Sequence, residues 1–315
     1  MTKMSMKAGL LLALGLFATS ARAAPAGPIL IDDVGVFPES LTATATGDLI
    51  IGSSAKGTIY RARPGEAKAT VWIDPKSSGM AAVLGVFADE RSHTLFACSA
   101  AFGAPPDKAD ALSALRAFDL DTGAPKGAYP MPGAAKALCN DIAIAKDGSA
   151  YVSETMGGRV LRLKPGAASL DEWVKDPRLA GVDGIAMGGD GALYVNTVTT
   201  DRMFRIAIGP DGSAGAITEL QPSLKLGGPD GLRAIGGLRF LQAENRVGRI
   251  SVVEVSGDQA KVTLLKTGEP GLTSAAIARG QIWAINAKFA YRSDPALKGK
   301  DPNPFTVEAL GSAPH

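Results

Sequence analysis

The chain has few of the residues that many enzymes use for nucleophilic or acid–base chemistry. Histidine occurs only as His93 and His315, and cysteine only as Cys98 and Cys139. His93 falls in a predicted hairpin turn, Glu90-Arg91-Ser92-His93, and His315 is the last residue, so neither is placed as the base of a catalytic Ser-His pair requires. This argues against a Ser-His-Asp hydrolase. The sequence also lacks a P-loop and a Gly-rich dinucleotide fingerprint.

An excess of charge of one sign is also missing. The whole chain has a formal net charge of +2, with 33 basic and 31 acidic side chains. Three of the basic side chains lie in residues 1–23, which contain no acid, so 30 basic side chains would face 31 acidic ones after residue 23. Without a basic patch, we expect no nucleic-acid partner.

Long hydrophobic runs are absent except near the N-terminus. There, Lys3 and Lys7 precede the apolar run Ala8–Thr19, which is followed by Ala21-Arg22-Ala23. This order is typical of a signal peptide with a cleavage site before Ala24. The run is too short to span a membrane comfortably. We therefore expect residues 1–23 to be a signal peptide, and the mature protein to be periplasmic or secreted with no membrane span.

The two cysteines are compatible with export, because exported proteins can form disulfides. Cys98 and Cys139 lie in different repeats, and the sequence does not place them within bonding distance. Their pairing is left open at this point.

No segment has a long helical stripe; short apolar runs alternate with Gly, Pro, Asn and Asp. A phrase of strand, Asp-Gly turn and strand at 138–155 returns at 182–197 and more loosely at 229–241. Self-similarity at such a spacing indicates a repeated supersecondary unit. We count six four-stranded units and predict one domain, residues 24–315: an all-β, six-bladed β-propeller of four-stranded antiparallel blades. Residues 29–34 should join the sixth blade. A sandwich or two-domain β protein is disfavoured, since sandwich strands do not recur in blocks of four.

In a propeller, the residue that opens the first strand of each blade lies near the central axis. These positions are Glu39, Gly85, Asn140, Asp183, Asp230 and Thr273. Three carboxylates meeting in a partly desolvated pocket repel one another unless they are protonated or a cation neutralises them. A divalent cation, calcium above all, accepts carboxylate and amide oxygens together. Zinc fits less well, because histidine is missing from these positions.

Asp-Gly is also a turn dipeptide, which gives a second interpretation. Asp147-Gly148 and Asp190-Gly191 separate two strands and are predicted to be hairpin turns. Asp183-Gly184 and Asp230-Gly231 instead precede an apolar strand, and Glu39 and Asn140 hold the same place without a following glycine. This pattern favours metal ligands over turns.

Five short motifs, taken in order, resemble the SMP-30/gluconolactonase/LRE-like proteins. They are Pro38-Glu39, Asn140-Asp141, Asp183-Gly184, Pro229-Asp230-Gly231 and Leu272-Thr273-Ser274. The resemblance implies a six-bladed propeller with one metal ion, bound by Glu39, Asn140, Asp183 and Asp230. It also implies that Asp230 acts as the general base. Asp183 replaces the family's usual Asn, and Leu138 replaces an Arg of the lactonase members.

The resulting hypothesis is an exported metal-dependent hydrolase that acts on a lactone or related ester. Asp230, or a coupled Asp183–Asp230 pair, would be the general base. Glu154 and Asn196 end second strands near the same mouth and are candidates for substrate contact. The alternative is a non-catalytic ligand-binding or sensor propeller with a structural calcium ion. In both cases, the partner is a small molecule and the protein is expected to be a monomer.

Overall fold

The computed structural model describes Met1 and residues 27–101, 113–133 and 137–314 of the chain. Except for Met1, the predicted signal peptide and its cleavage site lie outside these residues. The described part is an all-β protein with 25 strands, two four-residue α-helices and two short 3-10 helices. None of its helices has the length and hydrophobicity needed to cross a membrane.

Most strands form antiparallel sheets of four consecutive strands, as the repeats predict. The first three sheets are β2–β5 (Pro38–Ala43, Leu49–Ser53, Ile59–Ala62, Lys68–Ile73), β6–β9 (Ala82–Asp89, Thr94–Ala100, Ala114–Asp119, Pro125–Pro130) and β10–β13 (Cys139–Ile144, Ala150–Glu154, Arg159–Leu163, Asp171–Lys175). The next two are β14–β17 (Val182–Met187, Leu193–Thr197, Arg202–Ile208, Ala214–Glu219) and β19–β22 (Pro229–Ala234, Arg239–Glu244, Arg249–Ser256, Gln259–Lys266), the latter extended by β18 (Gln221–Pro222).

The two ends of the chain meet in one sheet. Strands β23 (Leu272–Ala278), β24 (Gln281–Asn286) and β25 (Thr306–Ser312) continue into β1 (Ile29–Ile31), which pairs antiparallel with β25. The predicted joining of the N-terminal strand to the last repeat is therefore confirmed, although β1 ends at Ile31. The other edge of β1 pairs in parallel with β5, which makes this an eight-stranded sheet.

The hydrophobic core lies between the faces of consecutive sheets. Ile59, Met80 and Phe118, for example, pack between the first and second sheets. Leu41, Ile285 and Phe305 belong to a cluster between the β2–β5 and β23–β25 parts of the eight-stranded sheet. The sheets therefore follow one another around a ring, with their first strands innermost, and the fold is a β-propeller.

The sequence pattern missed a few elements. Strand β9 has mostly exposed residues and two prolines, so it lacks the apolar alternation of a half-buried strand. The α-helices are α1 (Pro75–Ser78) and α2 (Ala290–Ser293), and the 3-10 helices span Pro177–Leu179 and Pro295–Leu297. Residues 293–304 have the polar composition that predicts a loop, but the second 3-10 helix lies within them and α2 ends at their first residue.

Candidate functional site

The first strand of each sheet has a β-bulge near its start. In β10, Cys139 pairs with Glu154 but the next paired residue is Ile142, so Asn140 and Asp141 lie outside the regular ladder. A bulge bends the strand and changes the direction of its side chains. The corresponding bulges contain Glu39 in β2, Leu84-Gly85 in β6, Asp183-Gly184 in β14, Asp230-Gly231 in β19 and Thr273 in β23.

The four predicted metal ligands come together around one small cavity. Glu39, Asn140, Asp183 and Asp230 are buried, with exposed fractions of 4–7%. They line a cavity of about 10 Å³, together with Gly85, Thr273 and neighbouring bulge residues. This volume is about that of a single water molecule or small ion. The convergence expected from the sequence is present, while metal binding itself stays a prediction.

The two inner Asp-Gly pairs lie in strands rather than turns. Gly184 packs so closely against the next inner strand that a Cβ there would lie 2.1 Å from the carbonyl oxygen of Asp230. Glycine is therefore required for the close approach of neighbouring blades at this level. Asp147-Gly148 and Asp190-Gly191 do join two strands, and both of these glycines have positive φ, as predicted.

The side chains at this site differ in how completely they are hydrogen-bonded. The Asn140 Nδ2 donates to Asp183 Oδ2 and to Thr155 Oγ1, both at 2.9 Å. Asp230 accepts from Asn245 Nδ2 at 2.7 Å and from the backbone N–H of Gly231 at 2.9 Å. In the described part of the chain, no donor bonds the Glu39 carboxylate.

Burial and mutual repulsion disfavour the ionised carboxyl groups. Burial is the largest cause that raises the pKa of Asp230, to about 7, against the opposing effect of the bonds from Asn245 and Gly231. Burial, followed by the charges of Asp230 and other acids, raises the pKa values of Glu39 and Asp183 well above their ordinary range. A cation bound among these groups would stabilise their ionised forms.

Beneath the cavity, Asp141 and Arg233 form a buried ion pair. Arg233 Nη1 donates to both carboxylate oxygens of Asp141, at 2.9 and 2.7 Å. Its Nη2 also donates to Ser40 Oγ at 3.1 Å, while Asp141 accepts the backbone N–H of Ile185. The Asp141 charge is thus matched locally, which leaves Glu39, Asp183 and Asp230 as the unmatched acids.

The donor atoms around the small cavity are of the type that binds a divalent cation. Within the described ranges, no three Asp, Glu, His or Cys side chains approach closely enough to form a metal cluster on their own. Two observations nevertheless support the fit: among the described residues, no donor bonds the Glu39 carboxylate and no partner bonds the Thr273 hydroxyl, which lines the same cavity. All the available donor atoms are oxygens, the type that calcium prefers.

Asn140 would have to change orientation to join such a site. It turns its Nδ2 toward Asp183, whereas a cation shared by the two residues must contact the amide Oδ1. Thr155 is compatible with both orientations, because a hydroxyl can accept from Nδ2 or donate to Oδ1. The donor set therefore fits a hard cation after rotation of one amide.

The sequence predicts that Glu154 and Asn196 contact substrate at the mouth, but in the structure both bond the surrounding protein. The fully buried Glu154 carboxylate accepts the N–H groups of Leu138, Met156 and Gly157 and the Nε of Arg159. Asn196 accepts the N–H of Gly184 and donates to the carbonyl oxygen of Asp230 at 2.7 Å. Both residues hold the backbone around the site, and neither lines the mouth pocket. We therefore leave them out of the proposed substrate contacts.

Most of the residues that form the walls of the mouth were not predicted from the sequence. Above the four ligands lies a pocket of about 470 Å³, called here the mouth pocket. Each of four sheets contributes the residue that follows its second strand. These residues are Ser54, Thr155, Val198 and Asn245.

The sequence contains a pattern that indicates two of these positions, Thr155 and Asn245. Glu154-Thr155 and Glu244-Asn245 are each followed by an arginine five residues after the glutamate, and both arginines bond that glutamate. Aligning the two phrases would have placed Thr155 and Asn245 at equivalent points.

The bulge register also corrects the second repeat. Gly85 was expected at the axial position, but Leu84 occupies the place equivalent to Asn140 and Gly85 that of Asp141. Leu84 accordingly lines the mouth pocket, whereas Gly85 lines the small cavity below. The sequence could not give this offset, since the two residues are adjacent and only the pairing of β6 with β7 distinguishes them.

A disulfide lies beside the site. Cys98 on β7 is bonded to Cys139 on β10, which answers the question that the sequence left open. Cys139 directly precedes Asn140, so the bond attaches one proposed ligand strand to the neighbouring sheet.

Comparison with solved structures identifies the same architecture elsewhere. A protein described as a proposed gluconolactonase superposes with a TM-score of 0.64 at 15% identity, covering 92% of this chain and 96% of that one. Regucalcin from Agrobacterium tumefaciens, a calcium-binding protein, gives 0.62 at 15% identity (91% and 95% covered). The Malassezia sympodialis allergen Mala s 1 gives 0.67 at 13% identity (91% and 96%).

These neighbours include proteins of the kind that the sequence motifs resemble, and at such identities they establish the propeller fold alone. No protein-family model and no curated protein matches the sequence.

Proposed function

We propose that the protein is a metal-dependent hydrolase of a lactone or related ester, with one divalent cation, calcium, at the centre of the propeller. The observation that carries this proposal is the meeting of Glu39, Asn140, Asp183 and Asp230 at one small cavity under an open mouth. The ionised forms of these three buried acids, whose pKa values are raised, need a counter-charge, and their oxygens suit calcium. The calcium binding stated for regucalcin also supports this assignment.

The site lies at the centre of a propeller whose number of blades is also part of the proposal. We infer six blades, because the eight-stranded sheet divides at the parallel pairing of β1 with β5 into two runs of four. The hydrophobic clusters between consecutive blades support the same number. Export through the N-terminal signal and a monomeric state complete the proposal.

In this mechanism, Glu39, Asn140, Asp183 and Asp230 would hold the cation, which would supply polarisation of the carbonyl oxygen and orientation of a water molecule when bound. Asp230, alone or as part of a coupled pair with Asp183, would take the proton from the attacking water and deliver it to the leaving oxygen as the ester C–O bond breaks. Asn245 and the Gly231 N–H hold the Asp230 carboxylate in place. The apolar side chains Leu84, Leu138 and Val198 line the mouth above this site.

The test is hydrolysis of a panel of lactones and phenyl esters, with calcium or with chelator. We expect activity that chelator removes and calcium restores. Asp230→Asn should lower kcat by about 10²-fold or more, which is the usual size of a general-base contribution. Asp147→Asn, in an exposed turn, is the matched control. Activity that survives both chelation and Asp230→Asn would exclude this mechanism.

A non-catalytic calcium-stabilised binding protein is the second candidate. The apolar lining of the mouth favours it, because Leu84 and Leu138 offer no hydrogen bonds to a polyhydroxylated substrate. Ligand-dependent increases in Tm across the same panel, without any turnover, would support this function instead.

A further inference from the structure

We propose that the mouth pocket takes an amphipathic ligand with an apolar body and an anionic end group, and that Arg292 recognises the anionic group. This inference rests on the proposed function, because the reacting carbonyl would lie over Glu39, Asn140, Asp183 and Asp230. It adds the class of substrate and a specificity-determining residue outside the metal site.

Several walls of the mouth pocket are apolar. Leu84, Leu138, Val198 and Phe289 all line the mouth pocket. Leu84 occupies the place that Asn140 holds in the next sheet, and Val198 the place of Thr155 and Asn245, so apolar residues stand where other blades have polar ones. A pocket of about 470 Å³ with such walls is suited to the apolar body of a small molecule.

Arg292 supplies a positive charge at the mouth pocket. This exposed residue on α2 lines the mouth pocket, and its guanidinium has no hydrogen bond or ion pair with any residue that the structure describes. The guanidinium carbon lies 5.3 Å from the centre of the Phe37 ring. Arginine that stacks on an aromatic ring retains N–H groups that can bind a carboxylate through two bonds.

The position of Arg292 is supported from below by aromatic contacts. The Phe37 and Phe305 ring centres are 5.2 Å apart, and Lys288 Nζ lies 5.1 Å from the Phe305 ring. Lys288 also donates to the carbonyl oxygens of Pro302 and Pro304, both at 2.7 Å. These contacts fix the segment that carries α2 at the rim, so the arginine is partly preorganised for a ligand.

The floor and the rim of the mouth pocket differ in charge. Ionised Glu39, Asp183 and Asp230 with one divalent cation leave a net charge of −1 at the floor, since Asp141 and Arg233 neutralise each other. This charge disfavours an anionic group there. Arg292 is the one cationic side chain among the described residues that line the mouth pocket, so an anionic group is favoured at the rim. The ligand is thereby oriented with its carbonyl inward.

The activity test uses two substrates that differ only in the end group. Monophenyl adipate carries a carboxylate where phenyl hexanoate carries a methyl group. Arg292→Gln should lower kcat/KM for monophenyl adipate about 10-fold, as expected for loss of a charge-assisted contact, and change that for phenyl hexanoate less than about 2-fold. Arg279→Gln, at an exposed arginine away from the mouth pocket, should change neither. Equal effects on both substrates would overturn the inference.

A binding test separates this inference from the hydrolase proposal. If the wild type hydrolyses no substrate, the hydrolase proposal fails, and calorimetry with calcium-loaded protein decides the rest. We expect 4-phenylbutanoate to bind the wild type about 10-fold more tightly than Arg292→Gln, and 4-phenylbutanol to bind both equally. Equal binding of the acid to both proteins would place its carboxylate on the metal and overturn the role of Arg292. Absence of binding to the wild type would overturn it as well.

Discussion

Arg233 on β19 reaches under the proposed metal site and forms a two-oxygen ion pair with Asp141 on β10, a residue 92 positions earlier in the chain. Both side chains are at least nine-tenths buried. The pair connects two blades that are not consecutive around the ring. It also prevents a fourth unmatched carboxylate from adding to the charge of Glu39, Asp183 and Asp230.

Replacing Arg233 with Met should therefore be strongly destabilising. The change leaves Asp141 buried without its partner, and we expect the free energy of unfolding to fall by roughly 3–5 kcal/mol. The double variant Asp141→Asn with Arg233→Met should recover much of this loss, because no buried charge remains. Urea denaturation in excess calcium measures both. A single variant as stable as the wild type would contradict the burial of this pair.

Calcium should stabilise the protein more at pH 8 than at pH 5.5. The folded-state pKa of Asp230 is raised to about 7, and those of Glu39 and Asp183 are raised too. At pH values between the unfolded-state and folded-state pKa values of these groups, the folded protein therefore binds more protons than the unfolded protein. The free energy of unfolding without metal then falls as pH rises through this window. Above pH 7, calcium no longer has to displace the Asp230 proton.

Tm values with calcium and with chelator at the two pH values check this expectation. Asp230→Asn should reduce the difference, since one of the titrating groups is gone. A calcium-induced change in Tm that is the same at both pH values would show that these carboxyl groups do not bind the ion.

The disulfide should support calcium binding as well as stability. Cys139 precedes Asn140 directly, and its bond to Cys98 attaches the β10 ligand strand to β7. We expect Cys98→Ala with Cys139→Ala to lower the free energy of unfolding by about 2–4 kcal/mol. We also expect weaker calcium affinity, because Asn140 is less well positioned.

Calorimetric titration with calcium, with and without reductant, tests this role. Reductant should weaken binding by the wild type and leave the double variant unchanged. If affinity is the same in all four measurements, the disulfide stabilises the fold only.

The repeats predicted much of the fold because each blade carries local signals. Asp147-Gly148 and Asp190-Gly191 mark hairpin turns, and Asp183 and Asp230 stand at the same point of successive units. The local pattern could not predict the register of the strands or the contacts between residues that are far apart in the chain. The bulge in β6 gives the axial place to Leu84 instead of Gly85, and Arg233 meets Asp141, far away along the chain, only in the folded protein.

Glu154 illustrates a different limit of the sequence. A carboxylate at the end of a strand is equally suited to contact a ligand or to accept backbone N–H groups. Which of the two roles Glu154 has depends on the turn at residues 156–159, whose N–H groups donate hydrogen bonds to the Glu154 carboxylate. The arginine five residues later, repeated at Glu244 and Arg249, is the sequence feature that indicates the structural role.

The adjacent residues Glu154 and Thr155 should separate stability from site function. Glu154→Gln weakens the buried bond to Arg159, and we expect a loss of about 1–3 kcal/mol in the free energy of unfolding with unchanged calcium affinity. Thr155→Val removes the hydroxyl that holds the Asn140 amide, and should weaken calcium binding several-fold at nearly constant stability. Urea denaturation in chelator and calcium titration measure the two effects independently. The opposite pattern, with Glu154→Gln affecting calcium and Thr155→Val affecting only stability, would return Glu154 to the site and remove Thr155 from it.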